Sequence, residues 1–510
     1  MMKGIFLYMT MCVAAIAFAA CTNELEESTV PADNALVLTV DGFPAFQETT
    51  ETRAVGTFDP GKTEWTSGDK VLVRVSSNGS TTQYATLTYE NNTWTTNPTL
   101  TRPEGTFTVE AWYAPTYSWD SNGDMTTSVA GTGEFLHQTL DNQSQRNIEI
   151  NFSDVVRDYS RLRIAGSPGT NLSVSLTDFT PAGNNTSSGT TNIDLTTDDK
   201  GNAYLYGTWT ENSNLDVTYG SQSLVNKDNI TASVANTSYV VDASFATIFP
   251  DPTKCNEIGD GSTYPYILLN GAQLNDLATN NNANKGAQYK MAADIDLSQY
   301  SSTWTPFTFS GTFDGNGHAI TRFSFSGNKH PFGLFNQNNG TIKNLTIRDC
   351  NIVNNQGNAN TAAIAAQNNS GGVIVNCHVV GGSISCSNAA GIVLINYGGK
   401  VIACSNSATI GGTNTAGISY MLMSNPTIIG CYNVGNLTGT GSNSNIYNSI
   451  MGSATISACY WLNNGTVTGD NGATTWEAAI DDMNNALQEA GYNYQYEMGA
   501  NNLPVIKSTN

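Results

Sequence analysis

Charge is what this 510-residue chain has least of. Only 12% of its residues are Asp, Glu, Lys or Arg, against a usual share of ~25%. Positive charge is scarcer still: 21 Lys and Arg stand against 42 Asp and Glu, a net charge of −21. So little charge beside 39% hydrophobic residues excludes ordinary disorder, coiled coil and histone-like classes. The negative balance argues against electrostatic binding to nucleic acid or to an anionic membrane face. Histidine occurs four times (His137, His318, His330 and His378), and HExxH, P-loop, GxGxxG and GxSxG patterns are missing. There is no CxxC pair, so a zinc ribbon does not fit. No helical membrane span follows the first twenty residues. In place of charge stand Asn, Ser, Thr and Gly, the polar residues of β-rich extracellular proteins with many turns.

The length implies two to four domains at ~100–200 residues each. Residues 1–20 read as an address: Lys3 precedes an apolar stretch, Ile5–Phe18, too short to span a membrane, and Phe18-Ala19-Ala20-Cys21 follows. This start resembles a bacterial lipoprotein signal, with Phe18 where Leu is commoner; a plain secretory signal cut near the same point is the alternative. The resemblance implies that Cys21 becomes a lipidated N-terminus on a tether over 21–34, with more than one acyl chain for stable anchoring. Glu24, Glu26 and Glu27 look like the surface-export signal of Bacteroidota lipoproteins, which implies the exposed face of the cell outer membrane.

Beyond Cys12 and Cys21 lie seven cysteines, an odd number that suits no complete disulfide set. Besides Cys255 and Cys386, they run Cys350, Cys377, Cys404, Cys431 and Cys459, with spacings of 27, 27, 27 and 28 residues. Ile364, Ile392, Ile418 and Ile446 repeat at 28, 26 and 28. Short β-prone runs enter these cysteines after Asn- or Gly-rich turns such as Asn338-Asn339-Gly340. One fixed period with short strands signifies a solenoid whose repeats bury their apolar faces by stacking. The spacing predicts a vertical ladder of buried cysteines acting as small apolar fillers. A metal or redox ladder is disfavoured, because neighbouring repeat positions offer no His or carboxylate.

Gly311-Thr312-Phe313-Asp314-Gly315-Asn316-Gly317, Phe332-Gly333-Leu334-Phe335 and Gly340–Leu345 resemble the GLUG-motif repeat family, and Ala390-Gly391-Ile392 and Ala416-Gly417-Ile418 match its recurring core. The resemblance spans roughly 259–465. It implies a right-handed parallel β-helix of the kind found in surface adhesins and in non-catalytic parts of secreted proteases. Amphipathic segments at Gly271–Thr279 and Thr475–Ala490 read as end caps, the second with Trp476, Ile480, Met483 and Leu487 on one helical face. The β-helix with its caps is expected over 259–510, after a linker at 249–258.

The N-terminal half carries many short alternating runs, among them Leu36–Val40, Lys70–Val75, Thr106–Trp112 and Ala203–Trp209, separated by turn clusters. That pattern predicts β-sandwiches, one over 35–150 and one over 151–248. The joint is placed near Asn147–Asp158, where Ile148, Ile150 and Phe152 begin a new alternating set. With the lipoprotein start, Arg53-Ala54 and Trp65–Val71, this half resembles the fimbrillin family of Bacteroidota fimbriae. The resemblance implies transthyretin-like sandwiches that join other fimbrial subunits by β-strand addition after a protease cuts between Arg53 and Ala54. A chain that continues into a solenoid departs from the stalk-subunit pattern and favours a terminal or accessory subunit.

Candidate catalytic groups are few. Asp294 and Asp296 share one face of an expected strand, but glycoside hydrolysis needs an acid and a base across a groove. Asp314-Gly315-Asn316-Gly317 lacks the further acidic ligands of a calcium loop and reads as a tight turn. After Cys350 and up to Gly469 the only charged residue is Lys400, so acid–base work has no groups there. No enzyme activity, metal or cofactor is therefore expected. The candidate contact residues are aromatic: Tyr397, Tyr420, Tyr432, Tyr447 and Tyr460, for a glycan or a host or bacterial surface protein. The whole reads as an all-β surface adhesion protein, an accessory or tip subunit of a fimbria. The alternatives are a stand-alone surface lipoprotein and, last, a glycan-degrading β-helix.

Overall fold

The computed structural model describes residues 34–48, 59–183, 189–245, 251–327, 331–354, 359–463 and 465–508. The protein is all-β, with 49% strand, 5% helix and a β-solenoid of about 6 turns in its C-terminal region. Cys21, Arg53 and Ala54 lie outside the described residues.

The first unit is a five-stranded antiparallel sheet in the order Thr93–Asn97, Gln83–Glu90, Lys70–Ser76, Phe107–Tyr113, Leu136–Gln143. It is faced by a parallel pair, Val37–Asp41 with Asn147–Asn151. Period-two alternation turns Leu38, Val40, Ile148 and Ile150 inward onto Val71, Val73, Leu87 and Val109. Ile148, Ile150 and Phe152 therefore close the first core and do not open the second. Alternation showed that these residues form a strand; only its partner, Val37–Asp41, decides which core they enter.

The second unit packs the sheet Thr180–Pro181, Asn202–Thr208, Ser160–Ala165, Thr237–Asp242, Gln47–Glu48 against the sheet Thr191–Thr196, Asn171–Leu176, Leu215–Tyr219, Gln222–Lys227. Its edge strand Gln47–Glu48 is borrowed from ahead of the first unit's main sheet and pairs in parallel with Thr237 and Ser238. The two units thus share chain. They also share a polar core: Arg157 donates to Glu134 at 2.6 Å, and Arg161 lies 3.3 Å from Asp59. Both guanidiniums stack on Phe46, 3.8 and 4.5 Å from its ring centre.

Among the described residues the solenoid carries its core on two long sheets, one of nineteen strands, parallel up to a final antiparallel hairpin, and one of six parallel strands. Rungs vary in length: Gln288 to Thr312, Thr341 to Val373, and Val373 to Lys400 are register steps of 24, 32 and 27 residues. The cysteine ladder is correspondingly shorter than the spacing predicts. Pairing of Val375 with Ile402 and of His378 with Ser405 sets Cys377 over Cys404, and the same alignment runs on to Cys431 and Cys459. Cys377, however, sits on Leu345, while Cys350 faces Gly382. The 27-residue step from Cys350 to Cys377 is a coincidence produced by a rung five residues longer. All these thiols are buried and free.

Asparagine forms ladders as well. Asn338 donates to Asn368 at 2.8 Å and Asn368 to Asn396 at 3.0 Å, all three fully buried. Each amide satisfies the next, which is how a polar side chain survives inside a coil.

Helix α1 (Gly271–Thr279), capped by Asn270, buries Leu274 and Leu277 over the first rung and closes that end. Helix α2 (Trp476–Glu489) does something else. Its face of Ala479, Met483 and Leu487 packs on Val375, Ile402 and Ile429, a column running along the side of the coil. The hairpin Tyr494–Met498 with Pro504–Ser508 continues this strap, Tyr496 donating to the Gly430 carbonyl at 2.7 Å and Tyr494 to Asn344 at 3.2 Å. The expected second end cap is thus a side brace, because the outward column it covers is apolar. No helix among the described residues is long and apolar enough to cross a membrane.

Candidate functional site

Almost all of the solenoid's charge sits in its first rungs. Asp294 accepts the Ala319 N–H at 2.9 Å and faces His318 Nδ1 at 3.3 Å and Arg348 at 4.0 Å. Asp296 accepts the Ser298 N–H at 2.8 Å and pairs with Arg322. The Ser298 amide, chiefly, holds the Asp296 carboxyl below its ordinary value. The two do line one groove with Asn270 and Tyr300. Each has its own cation, and neither is placed across the groove from the other as an acid and a base.

Asp314 ends a short strand, followed by a turn with Asn316 and Gly317 at φ of 51° and 79°. Its carboxylate accepts from Asn316 N–H at 2.8 Å and Asn344 Nδ2 at 3.0 Å, and lies 3.1 Å from Lys343 Nζ. Asp314 and Lys343, with Lys290, line a cleft of about 200 Å³ between the solenoid and the second sandwich, whose far wall is Gly169–Asn171. Lys290 Nζ donates across the cleft to the Gly169 carbonyl, and Tyr219 OH donates to the Pro265 carbonyl at 2.9 Å. Burial pulls the Lys290 ammonium below its ordinary value, against the attraction of Asp314. Sequence reading missed this cleft because its two walls come from segments more than a hundred residues apart.

The five tyrosines divide. Tyr397 is 42% exposed at the end of strand Val393–Tyr397, and Tyr420 and Tyr447 are half-buried. Tyr432 and Tyr460 are buried, which corrects their assignment as contact residues. The strap covers them: Tyr432 meets the Trp476 ring at 5.4 Å and donates to the Pro504 carbonyl, while Tyr460 donates to Asp482. What remains open is the six-stranded wall. There Tyr397, Met423 and Met451 stand in register, as do Ile395, Met421 and Ser449. The wall is neutral and mixes an aromatic ring with thioethers and hydroxyls.

Residues 272–381 match the family model of the M26 IgA1-specific metallo-endopeptidase N-terminal region. That match overturns the expectation of no enzyme, since it ties these rungs to a peptidase family. Among the described residues no three of His, Cys, Asp and Glu gather into a donor set for a metal ion, so no metal-dependent step is assigned to them. No curated protein matches the chain. Solved structures similar to it include a Bacteroides ovatus protein provisionally described as an immunoglobulin A1 protease (17% identity, 50% of this chain, 96% of that one, TM-score 0.39). A Bacteroides fragilis protein provisionally described as a cell adhesion protein matches at 10% identity over 41% of this chain and 93% of that one, TM-score 0.27. The minor pilin GBS52 of Streptococcus agalactiae matches at 11% identity over 42% of this chain and 94% of that one, TM-score 0.18.

Proposed function

We propose that the chain is a surface adhesion protein of pilin-like organisation, in which the two sandwiches serve assembly and the solenoid meets the ligand. The observation that carries this reading is the division of the solenoid's surface. One end is closed by α1 and one side by the α2 strap, while the neutral wall of Tyr397, Met423 and Met451 stands uncovered. In this reading the chain is anchored at the cell outer membrane through Cys21 and acts as an accessory or tip subunit. Cleavage at Arg53-Ala54 frees the whole segment that carries Val37–Asp41, Phe46 and Gln47–Glu48, and partner strands replace it beside Asn147–Asn151 and Thr237–Asp242 by β-augmentation. Immunogold labelling of intact cells tests the reading: signal at fibre ends supports a terminal subunit, an even envelope signal supports a stand-alone adhesin, and no surface signal refutes both.

A second reading is favoured by the family-model match at 272–381: the chain acts on immunoglobulin A1 as a peptidase. Incubation of the full chain with IgA1 checks it. Discrete heavy-chain fragments support this reading, and an intact heavy chain refutes it.

A further inference from the structure

Lys290, Asp314 and Lys343 belong to one column of the solenoid, since Lys290 pairs in register with Asp314 and Asp314 with Lys343. Further along, the column becomes Val375, Ile402 and Ile429, where α2 covers it. It is charged only where it floors the cleft against the second sandwich. Asp314 is already committed to Lys343 and two amides, so two ammoniums exceed it by one positive charge. Lys290 gives one N–H to Gly169 and keeps two donors. In a chain of net charge −21, this is a local positive field, and the walls of a cleft focus such a field. A second, independent feature is Thr170: it is 3% exposed, lines the cleft and has no partner for its hydroxyl. The cleft also continues, through Asn171, Thr263 and Tyr264, into a groove of about 280 Å³ on the second sandwich.

We propose that the cleft binds one carboxylate-bearing sugar residue of a glycan, its carboxylate on Lys290 and Lys343, its ring against Tyr264 and its hydroxyls on Thr170, Thr312 and Gln288. The neighbouring sugars run along the groove. The proposal rests on the adhesion reading only for the source of the ligand, a surface glycan. A sugar fits better than an acidic peptide for two reasons. The lining is made of hydroxyls and amides that both give and accept hydrogen bonds, as ring hydroxyls do. Asp194 lies in the groove and repels a second carboxylate, which a run of acidic side chains would bring there.

The test is calorimetric titration of the full chain with glucuronic acid, its neutral methyl ester, glucose and a short acidic peptide at low salt. Glucuronic acid is expected to bind, and the ester and glucose at least about tenfold more weakly. Lys343→Gln should weaken glucuronate about tenfold, and Thr170→Val several-fold, with the melting temperature of the second variant unchanged. The proposal is overturned if the ester binds as well as the acid, if the peptide binds more tightly, or if both variants bind like the parent. Absence of glucuronate binding at about 10 mM also overturns it. Should the cleft fail while cell adhesion persists, the adhesion reading stands without it.

Discussion

A thiol with no water around it is a poor nucleophile, because the thiolate is the reactive form and burial disfavours it. Burial pushes the Cys350 and Cys255 thiols up to about 12 and the Cys386 thiol to about 11. The ladder thiols Cys377, Cys404, Cys431 and Cys459 are sealed from solvent, so a reagent cannot reach them: the solenoid cysteines should resist iodoacetamide near pH 8 in the native protein and all label once it is unfolded. Mass-spectrometric mapping reads this, and fast native labelling of Cys377, Cys404 or Cys431 would contradict the packed ladder. The buried asparagines were less legible than the cysteines. Asn is abundant on every turn of this chain, and nothing in its spacing separates Asn368, sealed between two amides, from its half-buried neighbour Asn369.

At the scale of elements, the α2 strap makes the sharpest claim. Leu487 is fully buried, and its side chain packs over Gly430 on the solenoid wall. Leu487→Ala should cost about 2–5 kcal/mol, as large-to-small changes in a core do. Hydrogen exchange should then rise in the hairpin Tyr494–Met498 and in strand Thr427–Ile429, while α1 stays protected. Equal protection throughout would mean that the strap holds nothing. The repeat was readable because Ile and Cys recur at nearly one period, and the solenoid follows from stacking alone. Four features were not readable, all for the same physical reason. The helical face of Trp476–Leu487 was plain, yet periodicity names the buried side and not what covers it. Likewise Ile148 and Ile150 announce a strand but not Val37–Asp41 as its partner, and Cys350 fits the count but not the register. The cleft was invisible from sequence because Lys290 and Gly169 meet only in three dimensions.

Across the whole molecule, the two sandwiches are joined by the polar core around Phe46. Burial raises the Asp59 carboxyl, but Arg161, the Gly61 N–H and the Tyr204 hydroxyl outweigh it and hold it below its ordinary value. A carboxyl depressed in the folded state stabilises fully above its unfolded value of ~3.9 and loses that contribution as pH falls through the lower folded value. Acidification below about pH 4 should therefore loosen this junction. Asp59→Asn, which removes the titrating group, should flatten the acid limb of the melting-temperature profile, and an unchanged limb would assign it to other carboxyls. The central claim is that the uncovered solenoid wall makes the adhesive contact. The most direct measurement compares attachment of cells displaying the full chain with attachment of cells displaying Tyr397→Ser, Met423→Ser and Met451→Ser together. All three side chains point outward, so surface expression and melting should be unaltered while attachment falls to the level of cells lacking the protein. Full attachment by the triple variant at equal surface density would contradict the account.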